Sequence, residues 1–173
     1  MRALVVYESL FGNTQQVAQA VADGLARYAT VELVEVDSAP DELGDRFDLL
    51  VAGGPTHAHG MSRPGTRDQA AAQAPAGVVS KGNGLREWLD RLARASGTPA
   101  ATFDTRLDKP RWLVGSAAQG AAKRLRRLGF TLVAEPESFL VYGTAGPLGD
   151  AEPERARRWG EALGARRQQP ATT

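Results

Sequence analysis

Two short segments carry the residue types with which this chain can hold a ligand. The first is Ser9, Leu10, Phe11, Gly12, Asn13 and Thr14. It joins a continuous apolar run, residues 3–8, to a stretch in which Val17, Ala18, Val21, Ala22 and Leu25 recur at helical spacing. A strand that enters a helix through small residues presents free backbone N–H groups and the positive end of the helix dipole, which together attract an anion, phosphate above all. Ser9 and Thr14 add hydroxyls, Asn13 adds an amide, and Gly12 lets the backbone come close. The loop has no lysine or arginine, so it is neither a GxxxxGK[ST] nor a GxGxxG loop, and support for nucleoside triphosphate hydrolysis and NAD binding falls. The same residues also suit plain helix capping, and the loop alone leaves both readings open.

The second segment, residues 53–62, reads GGPTHAHGMS and follows another apolar run. Its His57 and His59 are the two histidines of the chain. No third ligand stands near them in sequence, which makes loop histidines beside a bound ring or in solvent the better reading than a metal pair. A third loop follows residues 99–105 and brings Asp104, Thr105, Arg106 and Trp112 toward the same edge. Trp112 there can stack on a planar ligand or pack beneath its own loop.

These loops need a scaffold, and the composition supplies one. The chain has 173 residues, 42% hydrophobic and 24% charged, as a globular domain with a real core requires. It has no cysteine, which excludes disulfides and thiolate metal sites. The opening apolar run is too short for a signal peptide or a membrane span, so a cytoplasmic protein is expected. The net charge of +1 is uneven: residues 1–60 hold 3 basic and 9 acidic side chains, residues 61–173 hold 18 and 11. Such an asymmetric field steers charged partners.

Periodicity predicts strands over residues 3–8, 30–36, 47–56 and 99–105, and a last strand region over residues 130–143. Helices are expected over residues 13–28, 85–95 and 116–128, with Gly129 as C-cap, and near the C-terminus behind an Asp150 N-cap with Pro153 in the first turn. Residues 61–84 read as a short helix and a loop, either a lid over a site or an ordered excursion. The β-α-β-β-α-β-α-β-α pattern implies a parallel α/β sheet covered on both faces, with a ligand crevice at the carboxyl ends of its strands. One domain over residues 1–168 and a flexible tail at 169–173 are expected.

In this setting SLFGNT resembles the phosphate loop of the flavodoxin family, and GGPTHAHG resembles its ring-flanking loop. The short-chain type is the nearer match, because the last strand has no room for the extra loop of long-chain members. The resemblance implies a flavodoxin-like, doubly wound, five-stranded parallel sheet of order 2-1-3-4-5, bound FMN, and electron transfer to redox partner proteins. It assigns the FMN phosphate to Ser9, Leu10, Phe11, Gly12, Asn13 and Thr14. It assigns the isoalloxazine to Pro55, Thr56, His57, Ala58, His59 and Gly60 on one side and to Phe103, Asp104, Thr105, Arg106 and Trp112 on the other. Departures are visible: Phe11 stands where the family usually has threonine, the expected stacking tryptophan and tyrosine are absent from their usual places, and the third loop is basic. A basic, aromatic-poor pocket implies a weaker reductant than a typical flavodoxin. The alternatives are an FMN-dependent NAD(P)H:quinone-type oxidoreductase and a flavodoxin fold that has lost tight flavin binding.

The run KRLRRLG, residues 123–129, is either a solvated helix face or a dock for an acidic partner. Near-neutral net charge without interleaved aromatics argues against nucleic acid. A monomer without membrane attachment is expected.

Overall fold

The apolar run after Met1 forms strand β1 (Arg2–Tyr7), and its side chains explain the layering of the molecule. Successive strand residues point to opposite faces, and both faces of β1 are apolar, so both must be covered. Ala3, Val5 and Tyr7 belong to one core cluster with Val17, Val21 and Leu25. Leu4 and Val6 belong to a second, with Leu85, Trp88 and Leu125. The computed structural model describes residues 1–168; the expected tail at 169–173 lies outside the described residues.

From β1 the chain enters helix α1 (Asn13–Leu25) and returns as β2 (Thr30–Glu35) at the sheet edge. Two 3-10 turns, Val36–Ser38 and Gly44–Arg46, lead into β3 (Leu49–His57). A two-residue strand β4 (Gly60–Met61) folds back antiparallel on β3, and α2 (Pro64–Ala72) and α3 (Leu85–Arg91) follow. Then come β5 (Pro99–Leu107), a four-residue helix α4 (Arg111–Val114) and α5 (Ala117–Arg127). Strands β6 (Thr131–Leu132) and β7 (Glu137–Val141) and the helix α6 (Glu152–Gln168) complete the described chain.

The sheet runs β2-β1-β3-β5, and β6 and β7 both pair with β5 at its outer edge. All these pairings are parallel. This is the expected 2-1-3-4-5 winding once the small β4 is set aside. The last strand comes in two pieces because Pro136 lies between them, and proline has no N–H to give a ladder. Helices α1 and α6 cover one face and meet closely: a Cβ on Gly24 would fall 2.0 Å from the Arg157 carbonyl oxygen, and one on Gly160 2.3 Å from that of Val21. Phe103, Phe139 and Trp159 stack edge to face beneath them, with centroids 6.1–6.3 Å apart. Among the described residues no helix is long and apolar enough to cross a membrane.

Two local expectations change. Asp150 does not cap α6: the Glu152 N–H closes a turn onto the Gly149 carbonyl at 2.9 Å, so the helix starts at Glu152, one residue later than expected. Residues 92–95 are not helical; Leu92 turns to extended backbone, and Ala93 N–H donates to the Asp41 carbonyl at 2.7 Å. Ser116 caps α5 by accepting from Gln119 N–H at 3.2 Å, and Gly129 follows that helix with φ +91°.

Candidate functional site

The carboxyl ends of β1, β3 and β5 meet at one rim, and each contributes a loop. The loop after β1 is held from below by residues of the segment before α3. Ser9 N–H donates to Ser80 Oγ at 2.9 Å, Ser80 N–H to the Ser9 carbonyl at 2.7 Å, and Val79 N–H to the Leu10 carbonyl at 3.0 Å. Within the loop, Gly12 N–H donates to Ser9 Oγ at 3.1 Å, and Gly12 takes the left-handed φ of +89° that glycine adopts without strain. Gly12 is also the N-cap of α1, and no side chain caps that helix. The first-turn N–H groups of a helix have no intrahelical partner, and here the residues that could have capped it are used elsewhere. Asn13 donates its amide to the Ala145 carbonyl at 3.2 Å, and Thr14 shares a 2.7 Å hydrogen bond with Thr105 on β5. The simple capping role is therefore not what these residues perform. The arrangement is a candidate anion cradle at a 13-residue helix.

A cavity of about 300 Å³ opens from this cradle, near the lower end of small-molecule sites. Ser9, Leu10, Phe11, Asn13 and Thr14 line one end; Pro55, Thr56, His57, Ala58, Thr105 and Arg106 line the other. The rest of its wall was not legible as site residues: Thr66, Gln69, Ala70 and Gln73 from α2, and Leu107, Val141 and Thr144 from the far edge. Helix α2 thus stands beside the cavity as an ordered wall. Among the described residues no aspartate or glutamate lines it. Burial, and then the charge of Arg67, lower the His57 pKa from its ordinary 6.5, so His57 is neutral near pH 7. Arg106 is then the permanent positive charge of the lining. Its Nη1 donates to the Lys109 carbonyl at 2.6 Å, while its buried Nε has no partner.

Six expected site residues stand elsewhere. Gly12 shapes the cradle from outside the cavity wall. Phe103 is wholly buried beneath Gly53, where a Cβ would come within 2.2 Å of the Phe103 ring. Asp104 is also wholly buried, and its Oδ2 accepts from Thr56 Oγ1 at 3.1 Å, Ser116 Oγ at 2.6 Å and Ala118 N–H at 2.9 Å. Its partners are the start of α5 and Thr56 of β3, so its Oδ2 holds Thr56 in place from behind the cavity wall, while its buried Oδ1 has no partner among the described residues. His59, Gly60 and Trp112 line a second concavity, because the turn of the β3–β4 hairpin reverses the chain after Ala58.

A buried polar group also lies beside this rim. Glu8, fully buried at the end of β1, accepts from Ser62 Oγ and, at 2.8 Å, from Leu85 N–H. Arg67 donates to Ser62 Oγ at 3.0 Å and pairs with Glu87 at 3.1 Å. Burial raises the Glu8 pKa above its ordinary value, against the pull of Ser62, Leu85 and Arg67. The network ties the starts of α2 and α3 to the central strand. The one sequence signal for it is a glutamate closing an otherwise apolar strand.

The comparisons agree with this anatomy. The family model described as flavodoxin matches residues 5–74, the part that contains the cradle, β3 and the hairpin. The fold is shared with a flavodoxin from the domain Archaea, at 19% identity and a TM-score of 0.65 over 98% of this chain and 100% of that one. Oxidised flavodoxin 2 from Bacillus cereus gives 18% identity and a TM-score of 0.67 over 96% and 99%. The flavodiiron protein from Giardia intestinalis gives 20% identity and a TM-score of 0.61 over 96% of this chain and 36% of its own. No curated protein sequence matches the chain.

Proposed function

We propose that this chain, flavodoxin-like in sequence over residues 5–74 and in fold over its described length, binds FMN non-covalently and serves as a cytoplasmic electron carrier. The observation that carries the reading is the uncapped N-terminus of α1 behind left-handed Gly12, opening directly into a cavity that ends at His57 and Arg106. The cradle offers backbone N–H groups and the Ser9 and Thr14 hydroxyls to a phosphate. Arg106 brings a guanidinium charge to the ring end of the lining. When bound, FMN supplies the electron chemistry; the protein supplies binding, orientation and charge. Ser80 and Thr105 fix the phosphate end, and Asp104 fixes Thr56 at the ring end.

One observation favours a second reading, a flavodoxin fold with weak flavin binding. Phe11 is the one phenylalanine, tyrosine or tryptophan in the cavity lining, so ring stacking contributes little. The visible absorption spectrum of the purified protein before and after adding FMN separates the two. A flavin spectrum that survives gel filtration supports the carrier; a colourless protein that leaves FMN fluorescence unquenched rules it out. An FMN-dependent oxidoreductase would in addition oxidise NAD(P)H in the presence of a quinone.

A further inference from the structure

Beyond the hairpin turn lies a second, wider concavity of about 720 Å³. The two concavities meet at the β3–β4 turn, since His57 and Ala58 line the first and His59 and Gly60 the second. Five cations from three helices surround the second: Arg86 of α3, Arg111 of α4, and Lys123, Arg124 and Arg127 of α5. Among the described residues no aspartate or glutamate lines it. Arg124 is paired with Asp90, and Arg86 is held by the Met61 and Ser62 carbonyls at 2.9 and 3.2 Å. Among the described residues no carboxylate pairs with Arg111, Lys123 or Arg127.

Apolar surface accompanies this charge. Trp112 is 84% exposed and Leu113 46%, on a four-residue helix, whereas Trp88 is wholly buried. A tryptophan left in water among arginines has the composition of an interface anchor. The acidic N-terminal third includes the opposite sheet edge, β2, so the molecule has a charge asymmetry that orients an approaching anion toward the basic end.

We propose that this cleft docks the acidic face of a partner protein, with Trp112 as its apolar anchor and Arg111, Lys123 and Arg127 as its charged contacts. The dock lies against the turn that carries His57 and Ala58, so a partner held there stands beside the ring end of the flavin cavity. The inference rests on the carrier reading only in making that partner a redox partner. The breadth of the cleft and its apolar anchor favour a protein surface over a nucleotide.

Docking is read without flavin, so its failure is distinct from a failure of FMN binding. Trp112 is the exposed tryptophan, and its emission and iodide quenching report coverage of the cleft. The apoprotein and the FMN-treated protein are titrated with an acidic ferredoxin, with a basic cytochrome c as the control of opposite sign and with NADPH as the nucleotide. The expected result is saturable shielding of Trp112 by the ferredoxin at low salt, weakened about tenfold or more when salt rises into the physiological range. The doubly charge-reversed variant Lys123→Glu with Arg127→Glu should lose about tenfold in affinity or more. Both residues are exposed, so the fold survives the change. Trp112→Ala should weaken binding, followed by calorimetry, and leave the salt dependence intact. Shielding by cytochrome c as strong as by ferredoxin, no shielding by ferredoxin, or unchanged binding in the double variant would overturn the proposal. Saturable shielding by NADPH alone would overturn it in favour of a nucleotide site.

Discussion

Gly115 lies directly against His59. A Cβ on Gly115 would fall 2.2 Å from the His59 carbonyl oxygen, and the two residues form an isolated parallel bridge. Gly115 has a φ of +76°, and the hairpin turn it supports has Ala58 and His59 at φ +44° and +74°. Two successive non-glycine residues in that region persist only when their surroundings hold them. Gly115→Ala is therefore expected to destabilise the protein by about 1–3 kcal/mol, through the strained φ and the clash together. It should also weaken FMN binding, since the same turn carries His57 and Ala58. Urea unfolding and FMN fluorescence titration of the variant check both; an unchanged unfolding midpoint would count against the clamp.

Thr14 and Thr105 share a buried hydrogen bond of 2.7 Å that joins the first turn of α1 to β5. Replacing Thr105 by valine keeps the shape but leaves the Thr14 hydroxyl with a lost partner. The expected cost is about 1–2 kcal/mol in stability. FMN affinity should fall by more than riboflavin affinity, because the displaced element is the proposed phosphate cradle. Equal losses for the two ligands would mean that the bond serves the fold alone.

Burial raises the Glu8 pKa, and this sets a sign for pH dependence. The folded protein holds the Glu8 proton more tightly than the unfolded chain does. The stabilisation from that proton is complete below about 4.5, the ordinary value, and is lost as pH rises through the folded-state pKa. Glu8→Gln keeps the size and removes the titration. Relative to this variant, the wild-type protein should lose stability as pH rises from 4.5 toward neutrality. Chemical denaturation of both proteins across that range checks it, and a difference independent of pH would contradict the assignment.

Much of this was legible in the sequence because apolar periodicity reports burial directly. Ala3 to Val6 and Leu49 to Ala52 are apolar at every position, and both runs became strands covered on both faces. Although the sequence alone left capping and anion binding both open, the strand–helix junction at Ser9–Thr14 was legible because small residues there end an apolar run and open a helical one. Tertiary partners were not. Nothing local tells Asp104, buried with its Oδ2 bonded to Thr56, Ser116 and Ala118, from an aspartate in a ligand pocket. Nothing local says that Trp112 sits on a short helix beyond the hairpin, or that α2 presents Gln69 and Gln73 to the cavity. Those facts depend on how the 58–60 turn directs the chain, which is set by contacts distant in sequence such as Gly115.

The charge around the cavity leads to a prediction about redox potential. A flavin gains negative charge on reduction, and a nearby positive charge favours that form by Coulomb attraction. Among the described residues the lining has no carboxylate, and His57 is neutral near pH 7, so Arg106 supplies the favourable charge. Arg106→Gln should make bound FMN harder to reduce, shifting its potential negative by on the order of tens of millivolts. His57→Asn should leave the potential at pH 7.5 nearly unchanged, since it removes no charge there. Lowering the pH below His57's depressed pKa should give the wild-type protein a second positive charge that His57→Asn lacks, so the two potentials diverge on acidification. Redox titrations of the three FMN-loaded proteins at two pH values decide the matter. An Arg106→Gln potential equal to wild type would show that the guanidinium, although it lines the cavity, is too well screened to tune the flavin.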